Sequence, residues 1–255
     1  MKNRLIKLSA FIGLLFLVSC GGSSKKQVYK KSALDKLIVE LMHESNYSIM
    51  LADMDYDESA DKYKHKYTVL VEKPEVKVDS IEQSTDVKVV DKPWVIVSDE
   101  DFNRYKDNLG MTIISKKDGV MSKTASPAGY DNYVGNKRYG SWRNNSSGGS
   151  FWVFYGQYRF LSDILMGPRY HYPRSSWNDY DRNYRGRKTY TGSGKFGSNS
   201  SRNGSTTWGK RSSTFKSTVN SKVTKSASRS SARRSRSSSR YSRSSSRSRS
   251  GGFGK

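Results

Sequence analysis

The chain has one cysteine, three histidines and a run of alternating aspartates, and these are the side chains whose chemistry must be placed first. Cys20 follows a leader in which Lys2, Arg4 and Lys7 precede an apolar run from Leu8 to Val18. That run is too short to span a bilayer and ends in small residues, which is the anatomy of a cleavable secretory signal. With no second cysteine, Cys20 has no intrachain disulfide partner. Asp53, Asp55, Asp57, Ser59 and Asp61 present oxygens at the alternating positions of a calcium loop. Glu58 stands where that loop needs glycine and Lys64 where it needs the bidentate glutamate, so a solvated acidic turn is expected and no metal site. His43, His65 and His171 lack ligand spacing, and His65 is expected to face a packed side. There is no Gly-x-Ser-x-Gly elbow for a serine nucleophile. Gly192-Ser193-Gly194-Lys195 is not a phosphate loop, because Thr189 replaces its first glycine and Phe196 its Ser/Thr. No catalytic constellation and no cofactor are identified, and the reading is of a protein that is not an enzyme.

Arginine supplies the remaining chemistry. The formal charge is +23, yet no Asp or Glu follows Asp181, and residues 182–255 hold 20 Lys and Arg. Between Asp35 and Asp118 there are 19 acidic and 12 basic residues. The chain is thus an acidic head joined to a basic tail, and blocks of one charge sign are a mark of interaction tails. Arg233, Arg234, Arg236, Arg240, Arg243, Arg247 and Arg249 are candidate polyanion-binding residues, since guanidinium groups grip phosphate and carboxylate through paired donors.

The elements that must carry these groups fall into blocks. Residues 1–19 form the signal and 20–31 a polar, basic tether. Residues 32–121 read as a small α+β domain. Within it, Leu34, Leu37, Ile38, Leu41 and Met42 predict one helix capped by Ser32, and Ser98 caps a second. Residues 47–52, 94–97 and 111–115 predict strands, and 75–78 and 87–90 are shorter candidates. The strict alternation of Tyr63, His65, Tyr67, Val69 and Val71 predicts a half-buried strand over 62–72. Residues 122–190 form a Gly/aromatic region of loops and turns. Its Phe151–Met166 segment predicts an aromatic helix that packs on the domain rather than lying in a membrane interface. Residues 201–250 contain 20 Ser, 10 Arg and 4 Lys, so disorder is expected from 191 to 255 for want of apolar surface to bury.

Leu17-Val18-Ser19-Cys20 resembles the lipobox of bacterial lipoproteins, which implies signal cleavage and acylation, palmitate included, at Cys20. Asn136-Lys137-Arg138-Tyr139-Gly140-Ser141-Trp142, the aromatic block from Phe151 to Tyr158 and the Ser/Arg tail are similar to a group of uncharacterised bacterial envelope proteins. The tail also resembles that of the YgiB-type lipoproteins. The resemblance implies an envelope location and no activity. Gly21 in place of an inner-membrane retention aspartate points to the outer membrane, and the basic tether to its periplasmic face. The expected partners are a membrane through Cys20 and, through the tail, anionic lipid, lipopolysaccharide or cell-wall polymer. An exported location argues against nucleic acid. The alternatives are a nucleic-acid-binding protein with a Ser/Arg-rich tail and an envelope enzyme of unknown reaction.

Overall fold

A computed structural model describes residues 31–73, 86–146, 148–167 and 170–242. The described residues from Ser32 onward form one α+β unit. Helix α1 (Ala33–Glu40) starts where expected: the Ser32 hydroxyl accepts from the Asp35 amide and the Asp35 carboxylate accepts from the Ser32 amide. That reciprocal box satisfies two of the orphan donors of the first turn. Strands β1 (Tyr47–Asp57) and β2 (Lys62–Glu72) form an antiparallel hairpin, flanked by β3 (Val87–Asp91) and β4 (Val95–Val97), both paired with β2. Helix α2 (Asp99–Tyr105) is capped by Ser98, as its sequence predicts. Strands β5 (Met111–Lys117), β6 (Val120–Ser122) and β7 (Ser126–Pro127) complete the sheet, in the order β3-β2-β1-β5-β6 with β7 also on β5. The expected strand over 75–78 lies outside the described residues.

The alternation of β2 is realised. Tyr63, His65, Tyr67, Val69 and Val71 are all buried on one face, while Lys62, Lys64 and Lys66 stay at least partly exposed. On β1 the pattern changes phase. Tyr47, Ile49 and Leu51 face the same core, and a register shift between Leu51 and Asp53 passes that role to Met54 and Tyr56. The extra residue of this bulge turns Asp53, Asp55 and Asp57 away from the core they would otherwise enter.

Sequence reasoning places a boundary at residue 121, and the packing has none there. Residues from 122 to 196 build a second core on the opposite face of the same sheet, against Met50, Leu70, Val87 and Met111. This core is made largely of tyrosine: Tyr130, Tyr133, Tyr139, Tyr172 and Tyr180 are almost wholly buried and meet edge-on or tilted. Burial pushes their phenols above the ordinary range.

The expected helix over 151–166 is instead a strand followed by a short helix. Strands β8 (Gly140–Asn144), β9 (Ser150–Phe154) and β10 (Tyr172–Pro173) form a second antiparallel sheet. Trp152 and Phe154 point inward and Val153 outward, so the period of two prevails over the first five residues. A 3-10 turn at Gly156–Tyr158 then leads into α3 (Arg159–Leu165), whose Leu161 and Leu165 bury in the tyrosine core. Helix α4 (Arg174–Asn183) adds Tyr180.

Candidate functional site: the seam between acidic hairpin and basic C-terminal segment

Disorder is expected from residue 191, and residues 191–230 depart from it. Tyr190 and Phe196 enter the tyrosine core. A 3-10 turn (Ser201–Ser205) and α5 (Thr207–Lys210) follow, and then α6 (Ser213–Ser242). Phe215, Val219, Val223 and Ala227 recur every four residues and so lie on one stripe. Val219, Val223 and Trp208 are buried in the first core with Phe102 and Tyr105, and Phe215 packs against it. A Ser/Arg-rich average composition conceals this stripe, since four apolar residues in thirteen are enough to dock a helix.

The acidic face of β1 receives the segment. Strand β5 pairs only with Tyr47–Met50, so the outer half of β1 has a free edge on that side. Residues 207–211 cover it. The Asp53 carboxylate accepts from the Thr207 amide at 2.7 Å and the Trp208 amide at 3.2 Å. Asp55 takes both nitrogens of the Arg211 fork, at 3.0 and 2.8 Å. At the hairpin tip Asp61 meets the Lys222 ammonium at 2.9 Å and accepts from the Tyr56 hydroxyl at 2.8 Å. Lys222 also lies over the Tyr56 ring and bonds its hydroxyl. The hydrogen bond from Lys222 holds the Asp61 carboxyl below the usual range, and the bonds to the Tyr56 hydroxyl first and Asp61 second hold the ammonium above its own. Asp57 is lowered chiefly by Lys64, 2.6 Å away. Further along, Ser226 bonds Asp99, and Lys106 donates to the Thr224 hydroxyl at 2.8 Å.

Asp53, Asp55 and Asp61 are therefore the intrachain counter-surface of the basic segment, while Asp57 is held within the hairpin by Lys64. The bidentate Arg211–Asp55 pair is the strongest motif in the seam. The others are at least partly exposed, and solvent screens them. The apolar stripe supplies most of the adhesion, and the charges fix its register.

A groove of about 690 Å³ opens beside the seam, lined by Lys106, Asn199, Lys216, Asn220, Thr224 and Lys225 among others. Lys216 is tied to the Gly209 carbonyl at 2.9 Å, while Lys225 makes no ion pair among the described residues. The wall is cationic and rich in hydroxyl and amide groups, which is the lining an oxyanion requires.

Of the residues singled out from the sequence, Arg233, Arg234, Arg236 and Arg240 fall on the outer part of α6. Cys20, Arg243, Arg247 and Arg249 lie outside the described residues. His65 sits in the core with Nδ1 2.9 Å from the Tyr67 hydroxyl and its ring stacked on Phe102. Burial lowers its pKa to about 3, so the imidazole is neutral. His43 and His171 are exposed, and His171 stands edge-on to Phe151. No helix among the described residues is long and apolar enough to cross a membrane. No family model matches the chain, and neither the curated proteins nor the solved structures contain a match to it.

Proposed function

We propose that this is a non-enzymatic, lipid-anchored protein of the bacterial cell envelope, held by an acylated Cys20 and contacting anionic envelope polymers or headgroups through its basic C-terminal region. Its location is the periplasmic face of the outer membrane. The observation that carries the reading is the division of the basic charge. Arg202, Arg211 and Lys222 are absorbed inside the fold, by Tyr170 and the Met166 carbonyl, by Asp55 and by Asp61. From residue 233 to the end there are eight further Lys and Arg, with no acidic residue after Asp181 to neutralise them. Helix α6 is thus anchored at its inner end and carries an arginine-dense outer end. The groove that holds Lys225 extends the cationic surface back toward the body.

The test compares the intact protein with one ending at Ala232, which keeps the whole apolar stripe. Each basic residue near an anionic surface contributes about 1 kcal/mol at low screening. Loss of eight predicts at least a 100-fold drop in binding to phosphatidylglycerol vesicles or lipopolysaccharide at low salt, with little difference at high salt. Equal binding by the two proteins, or tighter binding to double-stranded DNA than to either surface, overturns the proposal. The anchor is tested in the same cells by palmitate labelling, which Cys20→Ala must abolish.

A further inference from the structure

The groove of about 690 Å³ beside the seam has one wall from α6 and the other from the end of α2 and the loop before the 3-10 turn at Ser201–Ser205. Its volume is within the roughly 300–1,000 Å³ of small-molecule sites. Its lining holds three lysines, Lys106, Lys216 and Lys225, and no Asp or Glu. A smaller pocket of about 330 Å³ shares Lys106, Asn199, Lys216 and Asn220 with it and adds one carboxylate, the exposed Asp107. Together the two hold three ammonium groups against one carboxylate, so the ligand they favour is an anion.

The lysines do not converge on one point. At one end Lys106 Nζ donates to the Thr224 hydroxyl at 2.8 Å, and that hydroxyl donates in turn to Asn103 Oδ1 at 3.1 Å. Lys225, exposed, is the next residue along α6. At the other end Lys216 Nζ donates to the Gly209 carbonyl at 2.9 Å, close to where α6 begins. Each of these two bonds uses one of an ammonium's three donors and leaves two for a ligand. From Lys216 to Thr224 the helix rises about 12 Å. Between them Ser217, Asn220 and Ser221 line the groove, both serines exposed.

The arrangement is therefore two cationic poles joined by a belt of hydroxyl and amide groups. A ligand with one anionic group occupies one pole only. A ligand that uses both needs an anionic group at each end and hydrogen-bonding groups between. A phosphomonoester suits a pole better than a carboxylate does, because it carries about 1.5–2 negative charges at neutral pH and three acceptor oxygens. Two linked sugar rings match the separation and supply the hydroxyls.

We propose that this groove binds a saccharide carrying a phosphate at each end, with one phosphate on Lys106 and Lys225, the other on Lys216, and the sugar hydroxyls on Ser217, Asn220 and Ser221. The assignment names a ligand for the cationic surface proposed above, and it rests on that reading for the source of such groups. The experiment is amide NMR titration of the full-length mature protein, at fixed ionic strength, with an N-acetylated glucosamine disaccharide phosphorylated at both ends and with its singly phosphorylated analogue. The bisphosphate is expected to give saturable shifts within residues 104–107, 199 and 213–225 and to bind at least tenfold tighter than the monophosphate. Lys216→Gln keeps a donor for the Gly209 carbonyl while removing the charge, and it is expected to abolish that preference. Lys106→Gln/Lys225→Gln is expected to do the same from the other pole. The chain ending at Ala232 lacks the arginine-dense end and is expected to keep the preference, so failure of the tail reading and failure of this one are seen separately. The same disaccharides in acylated form, set in vesicles, identify the source: a preference found only there assigns the groove to a lipid headgroup, and one found with the soluble forms assigns it to the sugar phosphate itself. Equal binding of the two disaccharides in both settings, a preference that survives Lys216→Gln, or one that vanishes in the chain ending at Ala232 overturns the assignment.

Discussion

Val223 tests whether the C-terminal segment belongs to the fold. It is fully buried, at the centre of a stripe that it shares with Phe215, Val219 and Ala227, and the helix's other ties to the body are mostly exposed polar contacts. Val223→Ala removes two methyl groups, each worth roughly 0.8 kcal/mol of transfer free energy, and leaves a partly unfilled space. The sum is about 2 kcal/mol against docking, which raises the undocked population roughly 30-fold. Val223→Asp places a carboxylate in the same space and costs several kcal/mol more. Limited trypsin digestion reads the difference, because Lys216, Lys222 and Lys225 all lie on α6 within the docked stretch. When re-docking outpaces cleavage, the cutting rate follows the undocked population. Cleavage at these three lysines is therefore expected to rise about 30-fold in Val223→Ala, while Ser221→Ala on the exposed side stays within about twofold. If the parent protein is cut there as fast as in urea, or if Val223→Ala leaves the rate unchanged, the packing argument is refuted.

Two further predictions concern the body. His65 is neutral in the native state with a pKa near 3 and has an ordinary value near 6.5 when unfolded. Between those values the unfolded chain binds a proton that the native one refuses, so stability falls as pH falls. The loss is roughly 2–3 kcal/mol from pH 6.5 to 4.5, read as a drop in the urea midpoint that His65→Leu should flatten. An equal acid slope in both proteins would exclude His65 as its source. At Gly135, φ is +81° and a Cβ would stand 2.4 Å from the Trp177 ring. Gly135→Ala should lose about 2–4 kcal/mol in urea unfolding, and a change under 0.5 kcal/mol would show that the indole moves aside freely.

What the sequence reveals divides by the range of the interaction. The Ser32 and Ser98 caps and the alternation of β2 are local, and each is written in adjacent residues. The β1 bulge is not local: its phase change shows only once Met54 and Tyr56 are seen to replace Asp53 and Asp55 on the core face. The tyrosine core is hidden for a related reason. Its members come from loops without a fixed period, and they bury against the sheet rather than against one another's neighbours in sequence. The 151–154 segment has both a helical and an alternating pattern, and pairing with β8 and β10 selects the strand. The docking stripe at 215, 219, 223 and 227 was legible by spacing, but hydroxyl-rich surroundings lower every compositional average across it. The aspartate run was visible as chemistry, and its partner 154 positions away was not.

The separation between Asp53 and Thr207 bears on how the molecule is made. A sheet whose central strand waits for a cover from 154 residues downstream cannot finish its first core until most of the polypeptide has been synthesised. Distant closures of this kind slow folding, because the intervening loop entropy is lost before the contact is gained. In the interval the outer half of β1 is a bare strand edge, the feature through which nascent chains join one another. The aspartates that later hold the basic segment also make that edge charged, so like-charge repulsion keeps two unfinished molecules apart until each has received its own C-terminal helix.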